Sequence, residues 1–188
     1  MKLLKLILLA AVIGGICSAA TINGSMSLLA LSWAENGTNL QNATTLTLTS
    51  VFVGSGTGDY LGVPSFTPVS NFTLNIDNLG AFSLTIPLYG VFQASDGSII
   101  TETASNLDVF LRGTFTPGVD LPGLSPTDTS LRISANKSGS SISGGITLNS
   151  PYVPNPTVPE PATLALTGGA LVGIGIVGRK RFSKKSRG

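Results

Sequence analysis

Apolar and polar residues alternate through the middle of this chain, the period expected of strands with one buried face. Phe72, Leu74 and Ile76 interleave with Thr73, Asn75 and Asp77, and Phe82, Leu84, Ile86 and Leu88 interleave with Ser83, Thr85 and Pro87. Asp77-Asn78-Leu79-Gly80 lies between them, so the spacing predicts a hairpin. Leu107, Val109 and Leu111 alternate with Asp108 and Arg112, with Phe110 breaking the pattern. Leu131, Ile133 and Ala135 precede the turn Lys137-Ser138-Gly139-Ser140, and Ile142, Ile146 and Leu148 form the return strand. Within it Gly144-Gly145 marks a bulge or a close backbone approach. Ser25 to Trp33 and Thr45 to Val53 are further strands, and Val119 to Asp128, with two prolines, reads as a long loop.

No segment of the middle repeats apolar residues at helical spacing. The expectation is an all-β fold, a single antiparallel β-sandwich-like domain of seven to nine strands over residues 21–150. A body of that size can bury a core without disulfides.

The two ends have a different pattern. Residues 1–20 combine Lys2 and Lys5, an apolar stretch from about Leu6 to Ile16, and small residues after it. That is the layout of a signal peptide. Cys17-Ser18-Ala19 and Ser18-Ala19-Ala20 both fit signal peptidase, so the cut falls after Ala19 or Ala20. A retained anchor is the alternative, but the apolar run is short for a span. Ile16 before Cys17 argues against lipidation.

At the other end, residues 151–161 form a Pro-rich stalk, and residues 162–178 carry no charge. As a helix rising about 1.5 Å per residue, that stretch reaches about 25 Å, enough for a thin bilayer core. Pro161 suits a helix start. Residues 179–188 hold Arg179, Lys180, Arg181, Lys184, Lys185 and Arg187, a basic tail that stays cytoplasmic by the positive-inside rule. Gly169 and Gly173 make a GxxxG spacing, a match that a glycine-rich stretch gives by chance.

Charge adds to this picture by its segregation. Between residues 21 and 158 three bases face eight acids, so the body is acidic although the chain as a whole carries +2. Nucleic acid is thereby disfavoured as a partner, since phosphate neutralisation needs clustered bases. The body has neither His nor Cys, which removes the common neutral-pH proton shuttle, the thiolate nucleophile and the soft metal ligands. No cofactor, metal site or catalytic residue is expected.

The short motifs of the body are weak. Ser134-Ala-Asn-Lys137 spells S-x-x-K, but on a strand and without partner motifs. Asp128-Thr129-Ser130 is one copy of an aspartic protease-like triplet, which would need a second carboxylate. Gly54 to Asp59 is glycine-rich but no helix pattern follows it to hold a phosphate. Thr45, Thr47 and Thr49 could belong to a water-ordering Thr array, though one strand makes no two-dimensional surface.

Pro159-Glu160-Pro161, the apolar stretch after it and the terminal Arg179-Lys180-Arg181 together resemble the PEP-CTERM sorting signal of Gram-negative bacteria. Tails of this type are also described as the C-terminal domain of ice-binding proteins. The resemblance implies that Pro159, Glu160 and Pro161 are the recognised element, with residues 162–178 the membrane span and Arg179, Lys180 and Arg181 the cytoplasmic stop. It implies as partner an exosortase-like membrane enzyme, in addition to the Sec translocon and signal peptidase. The body would then go to the cell surface or into an extracellular, exopolysaccharide-containing matrix. The expected function is a non-enzymatic exported surface or matrix protein. The alternatives are a binding module for carbohydrate or ice, and a hydrolase built on paired carboxylates.

Overall fold

A computed structural model describes residues 19–152. Eleven strands follow one another among them: β1 (Ala20–Thr21), β2 (Gly24–Glu35), β3 (Thr45–Gly56), β4 (Pro68–Val69), β5 (Phe72–Asn75), β6 (Ser83–Ile86), β7 (Gly90–Glu102), β8 (Asn106–Pro117), β9 (Leu124–Ser125), β10 (Thr127–Ser138) and β11 (Ser141–Ser150). Three short 3-10 turns, Leu40–Asn42, Gly58–Gly62 and Leu79–Ala81, are the helical elements among the described residues.

Antiparallel β-structure is present as the alternation predicts, but the expected two stacked sheets are not. Nine strands form one sheet in the order β4-β3-β2-β11-β10-β8-β7-β6, with β5 continuing β4 along β3. The two edges of that sheet curl towards each other, where the Ser70 N–H donates to the Thr85 carbonyl at 3.0 Å. The result is a nearly closed barrel filled by one face of every strand. Its core includes Met26, Leu28, Leu46, Leu48, Phe92, Val109, Leu111, Phe115, Leu131, Ile133, Ile146 and Leu148.

The hairpin expected between Phe72 and Leu88 is therefore a correction. β5 pairs with β3 and β6 pairs with β7, so these two short strands belong to opposite edges of the sheet. The connection between them is no two-residue turn: Leu79 is buried and the 3-10 turn Leu79–Ala81 carries the chain round. β7, the longest strand, has no clean alternation, because Asp96-Gly97-Ser98 reads as a turn. It stays paired to β8 by absorbing two register shifts, between Ala94 and Asp96 and between Ile99 and Thr101. Such bulges let a strand bend round a barrel.

β3 shows how the wall turns a corner. Leu46 and Leu48 point inward, then Val51 and Val53 do, so the apolar spacing changes from two to three. Ser50 absorbs the extra residue with φ +53°, and the Asn71 side-chain carbonyl accepts its N–H at 3.0 Å. The β10–β11 hairpin forms in the expected place around Gly139, whose φ of +60° suits glycine. Gly144 is a close approach and not a bulge: the register runs through it unbroken, and a Cβ there would sit 2.8 Å from the Trp33 ring. The loop expected over Val119 to Asp128 contains β9, which pairs in parallel with β1.

Alternating strand directions divide the loops between two ends. Residues 19–23, 57–67, 87–89, 118–126 and 151–152 lie at one, here the terminal end, because the described chain enters and leaves there. Residues 36–44, 76–82, 103–105 and 139–140 lie at the far end.

Candidate functional site

Inside the terminal end a chain of hydroxyls closes the barrel. The Tyr60 hydroxyl lies 2.7 Å from Ser150 Oγ, which lies 2.6 Å from Thr129 Oγ1. Thr129 Oγ1 donates to the Thr127 carbonyl, and Thr127 Oγ1 accepts the Ile22 N–H at 2.9 Å. Burial pushes the Tyr60 phenol far above its ordinary range; the Ser150 hydrogen bond opposes this and the Asp59 charge adds to it. A phenol held neutral in this way is a structural tie and does not serve as a base. Ser150, the last residue of β11, is thereby fixed between two elements.

Beyond it the departing chain is clamped to the outside of the wall. The Tyr152 N–H donates to the Asp128 carbonyl at 2.8 Å. Its ring meets Phe110 edge-on at 5.9 Å, and the Arg112 guanidinium stands 4.7 Å from the ring centre. This explains why Phe110 breaks the apolar alternation of β8: it faces outward and packs on the segment that leads to the tail.

The far end is closed differently. Leu40 is fully buried, and its N–H donates to the Ala104 carbonyl at 3.2 Å. Lys137 makes an ion pair with Glu35 and donates to the Thr38 carbonyl at 2.8 Å, with the two charged side chains only 16% and 8% exposed. Oε2 of Glu35 is buried without a hydrogen-bond partner.

On the outer surface, an open groove of about 410 Å³ runs between residues 76–80 and 95–99. Asp77 and Asp96 both line it, with Asn78, Ser95 and Ser98. This is where the hydrolase alternative has its two carboxylates. Both are exposed to solvent, and Asp96 Oδ1 is already occupied by the Gly97 N–H at 2.7 Å. Of the other acids, Asp59 accepts the Asn23 N–H, Asp128 stands 3.9 Å from Arg112, and Asp108 is held by Arg132 and Ser134. The Arg132 fork keeps Asp108 below its usual range against some desolvation, with Ser134 and the Arg132 charge acting in the same direction as the fork.

The weak motifs resolve into structural roles. Ser134 binds Asp108 on the outer face while Lys137 reaches Glu35, so the S-x-x-K pair is split between two partners. Thr129 and Ser130 are buried and Asp128 is exposed, which separates the members of that triplet. The glycine-rich stretch is the end of β3 and a single short 3-10 turn, tied to the N-terminal segment through Thr57 and Asp59. Thr45, Thr47 and Thr49 lie on the outer face of β3, and Thr73 on β5 joins Thr47 at 3.1 Å. That is one cross-strand pair, well short of an ordered plane.

Of the residues expected to carry processing, Ala19 and Ala20 are exposed at the terminal end. Ala20 donates to the Gly123 carbonyl at 3.1 Å, and its own carbonyl accepts from Ser125 Oγ. Cys17, Pro159, Glu160, Pro161, Arg179, Lys180 and Arg181 lie outside the described residues, as does the expected membrane span. Among the described residues no helix is long and apolar enough to cross a membrane, and no three potential metal ligands cluster.

No curated protein and no solved structure matches the chain. A family model does: that of the PEP-CTERM protein-sorting motif, over residues 157–181. The match takes in the Pro-Glu-Pro element, the apolar stretch and the first three residues of the basic tail. Its presence implies an exported precursor that passes the membrane and is processed by an exosortase on its way to the cell surface. By this match the chain carries the PEP-CTERM protein-sorting motif at residues 157–181.

Proposed function

We propose that this protein is a non-enzymatic component of the cell surface or of an exopolysaccharide matrix, delivered there by its tail. The single observation that carries the reading is the sorting motif at residues 157–181. Residues 1–19 act as a signal peptide and residues 162–178 halt translocation, leaving the basic tail inside. The exosortase reads Pro159-Glu160-Pro161, where two prolines hold the backbone extended and withhold two amide donors. The body then serves as a sturdy β-domain at its destination. Signal peptidase cuts after Ala19, since that cut preserves Ala20, its bond to Gly123 and its pairing with β9.

Intact-mass analysis of the protein from native cells, with and without the exosortase, tests this. The expected product begins at Ala20 and, only where the enzyme is present, lacks residues 162–188. A mass that keeps those residues in both strains would end the sorting reading.

A second reading, a surface binding module, is favoured by the groove carrying Asp77 and Asp96. Loss of retention on the native polysaccharide on replacing both by Asn would support it. Equal retention of the wild type and the double variant, or none for either, would exclude this groove.

A further inference from the structure

The loops of the two ends treat large apolar side chains in opposite ways. At the far end Leu40, Ala43, Ile76 and Leu79 are all buried. At the terminal end Ile22, Tyr60, Val63 and Leu121 are buried, yet Leu61, Phe66, Leu88 and Val119 are 74%, 73%, 63% and 76% exposed. None of the exposed large apolar side chains among the described residues lies in a far-end loop.

Two of these four are held in a backbone conformation that their side chains disfavour. Phe66 has φ +66° and Leu88 φ +71°, in the left-handed region where a bulky residue is uncommon. The surrounding bonds impose it: the Phe66 N–H donates to the Val53 carbonyl at 2.7 Å, and the Leu88 carbonyl accepts the Asp120 N–H at 3.0 Å. That second bond also places Val119 beside Leu88. Asn or Gly would satisfy the same turns with less strain and without exposing a large apolar group. The strain points to a use for the apolar surface.

We propose that this end of the barrel docks on the lipid bilayer, inserting Leu61, Phe66, Leu88 and Val119 into the headgroup region while the tail is still attached. The occupant follows from the chain. The Tyr152 N–H is held by Asp128, the second residue of β10, near this end, and nine residues, 153–161, separate Tyr152 from the uncharged stretch. Extended at about 3.1 Å each they would reach about 28 Å, a tether short enough to let this face meet the bilayer. The precursor also enters at this end, through Ala19, directly after the apolar N-terminal run. Half-buried Tyr89, next to Leu88, adds an amphipathic ring of the kind that favours such interfaces.

Charge selects the kind of surface. The loops of this end hold Asp59 and Asp120 and no Lys or Arg. Docking is therefore apolar, strongest on zwitterionic lipid and insensitive to salt, unlike attachment through a basic patch.

The inference rests on the reading of residues 162–178 as a membrane span, and one experiment separates the two. The full chain carrying Cys17→Ser is reconstituted into phosphatidylcholine nanodiscs. Nitroxides are attached singly through Phe66→Cys, Leu88→Cys, Val119→Cys, Leu171→Cys in the tail, and Ser140→Cys at the far end. Labels at 66, 88 and 119 should favour collision with oxygen over a water-soluble nickel reagent by about threefold relative to the label at 140. If they match 140 while the label at 171 is lipid-embedded, docking is wrong and the span stands. If the label at 171 is in water, the span reading falls and this inference with it. Shielding from both reagents together with label–label broadening would mean that a second copy covers the face, and would overturn it. As a check on folding, Phe66→Asn with Leu88→Asn should hold or raise the Tm while cutting the lipid signal at 119 about threefold. A lowered Tm with an unchanged signal at 119 would also overturn it.

Discussion

The two ends of this barrel are closed by the same sheet and solve the closure with different chemistry. The far end uses an apolar plug, Leu40, and one buried ion pair, Glu35 with Lys137. The terminal end uses neutral hydroxyls, with Tyr60, Ser150 and Thr129 joined in a row. A buried charge pair is unforgiving of damage, because either partner alone is a charge out of water. A hydroxyl row is more tolerant, because Ser150 and Thr129 each have a second partner. The end at which the described chain enters and leaves is thus the one held by the milder interactions.

The sharpest way to break the contrast is at the ion pair. Lys137→Met should cost about 3–5 kcal/mol in urea unfolding by stranding the Glu35 carboxylate, and adding Glu35→Leu should recover most of the loss. A cost below about 1 kcal/mol would show that this pair is solvated and that the two ends do not differ in kind. Tyr60→Phe is the corresponding change at the terminal end. Ser150 keeps Thr129, so the loss should be about 1 kcal/mol.

The smallest effect belongs to the wall between the ends, where Asp108 meets Arg132. The folded state holds this carboxyl below its unfolded value, so the stabilisation is present above the ordinary aspartate range and fades as pH falls through the lowered one. With Arg132 half-exposed it is worth well under about 1 kcal/mol. Asp108→Asn should flatten that part of the acid-unfolding curve and leave neutral stability within about 0.5 kcal/mol of the wild type.

Much of this was legible in the residues, and the failures have physical causes. Strands β2, β3, β8, β10 and β11 follow from period-two alternation because each has one face in the core. β7 escapes because its two bulges shift the inward positions, and Asp96-Gly97-Ser98 then imitates a turn. The false hairpin between β5 and β6 arises because alternation says which face is buried and nothing about which strand is the neighbour. That choice is made by long-range pairing, β5 with β3 and β6 with β7. One sheet also alternates in the same way as two, so sandwich and barrel share a pattern. Phe110 was the one visible flaw in β8, and it marks the clamp for Tyr152.

The tail was legible because a sorting signal is a linear string, here a Pro-Glu-Pro element, an uncharged apolar stretch and a run of bases. The groove with Asp77 and Asp96 was not. Its two carboxylates lie nineteen positions apart and meet only through the 3-10 turn and the bulged strand.

The seam at Ser70 and Thr85 bears on how copies behave when crowded together. An open sheet invites neighbouring chains to add strands along its rim, and long flat rims are where secreted β-proteins clump. Here one rim is β4 and β5, two and four residues long, and the other is the four-residue β6, beyond which β7 from Ser95 onward has no described strand beside it on that side. Copies crowded side by side therefore meet only short rims at the seam, and β7 beyond Ala94 is the stretch on which a neighbouring chain could add a strand.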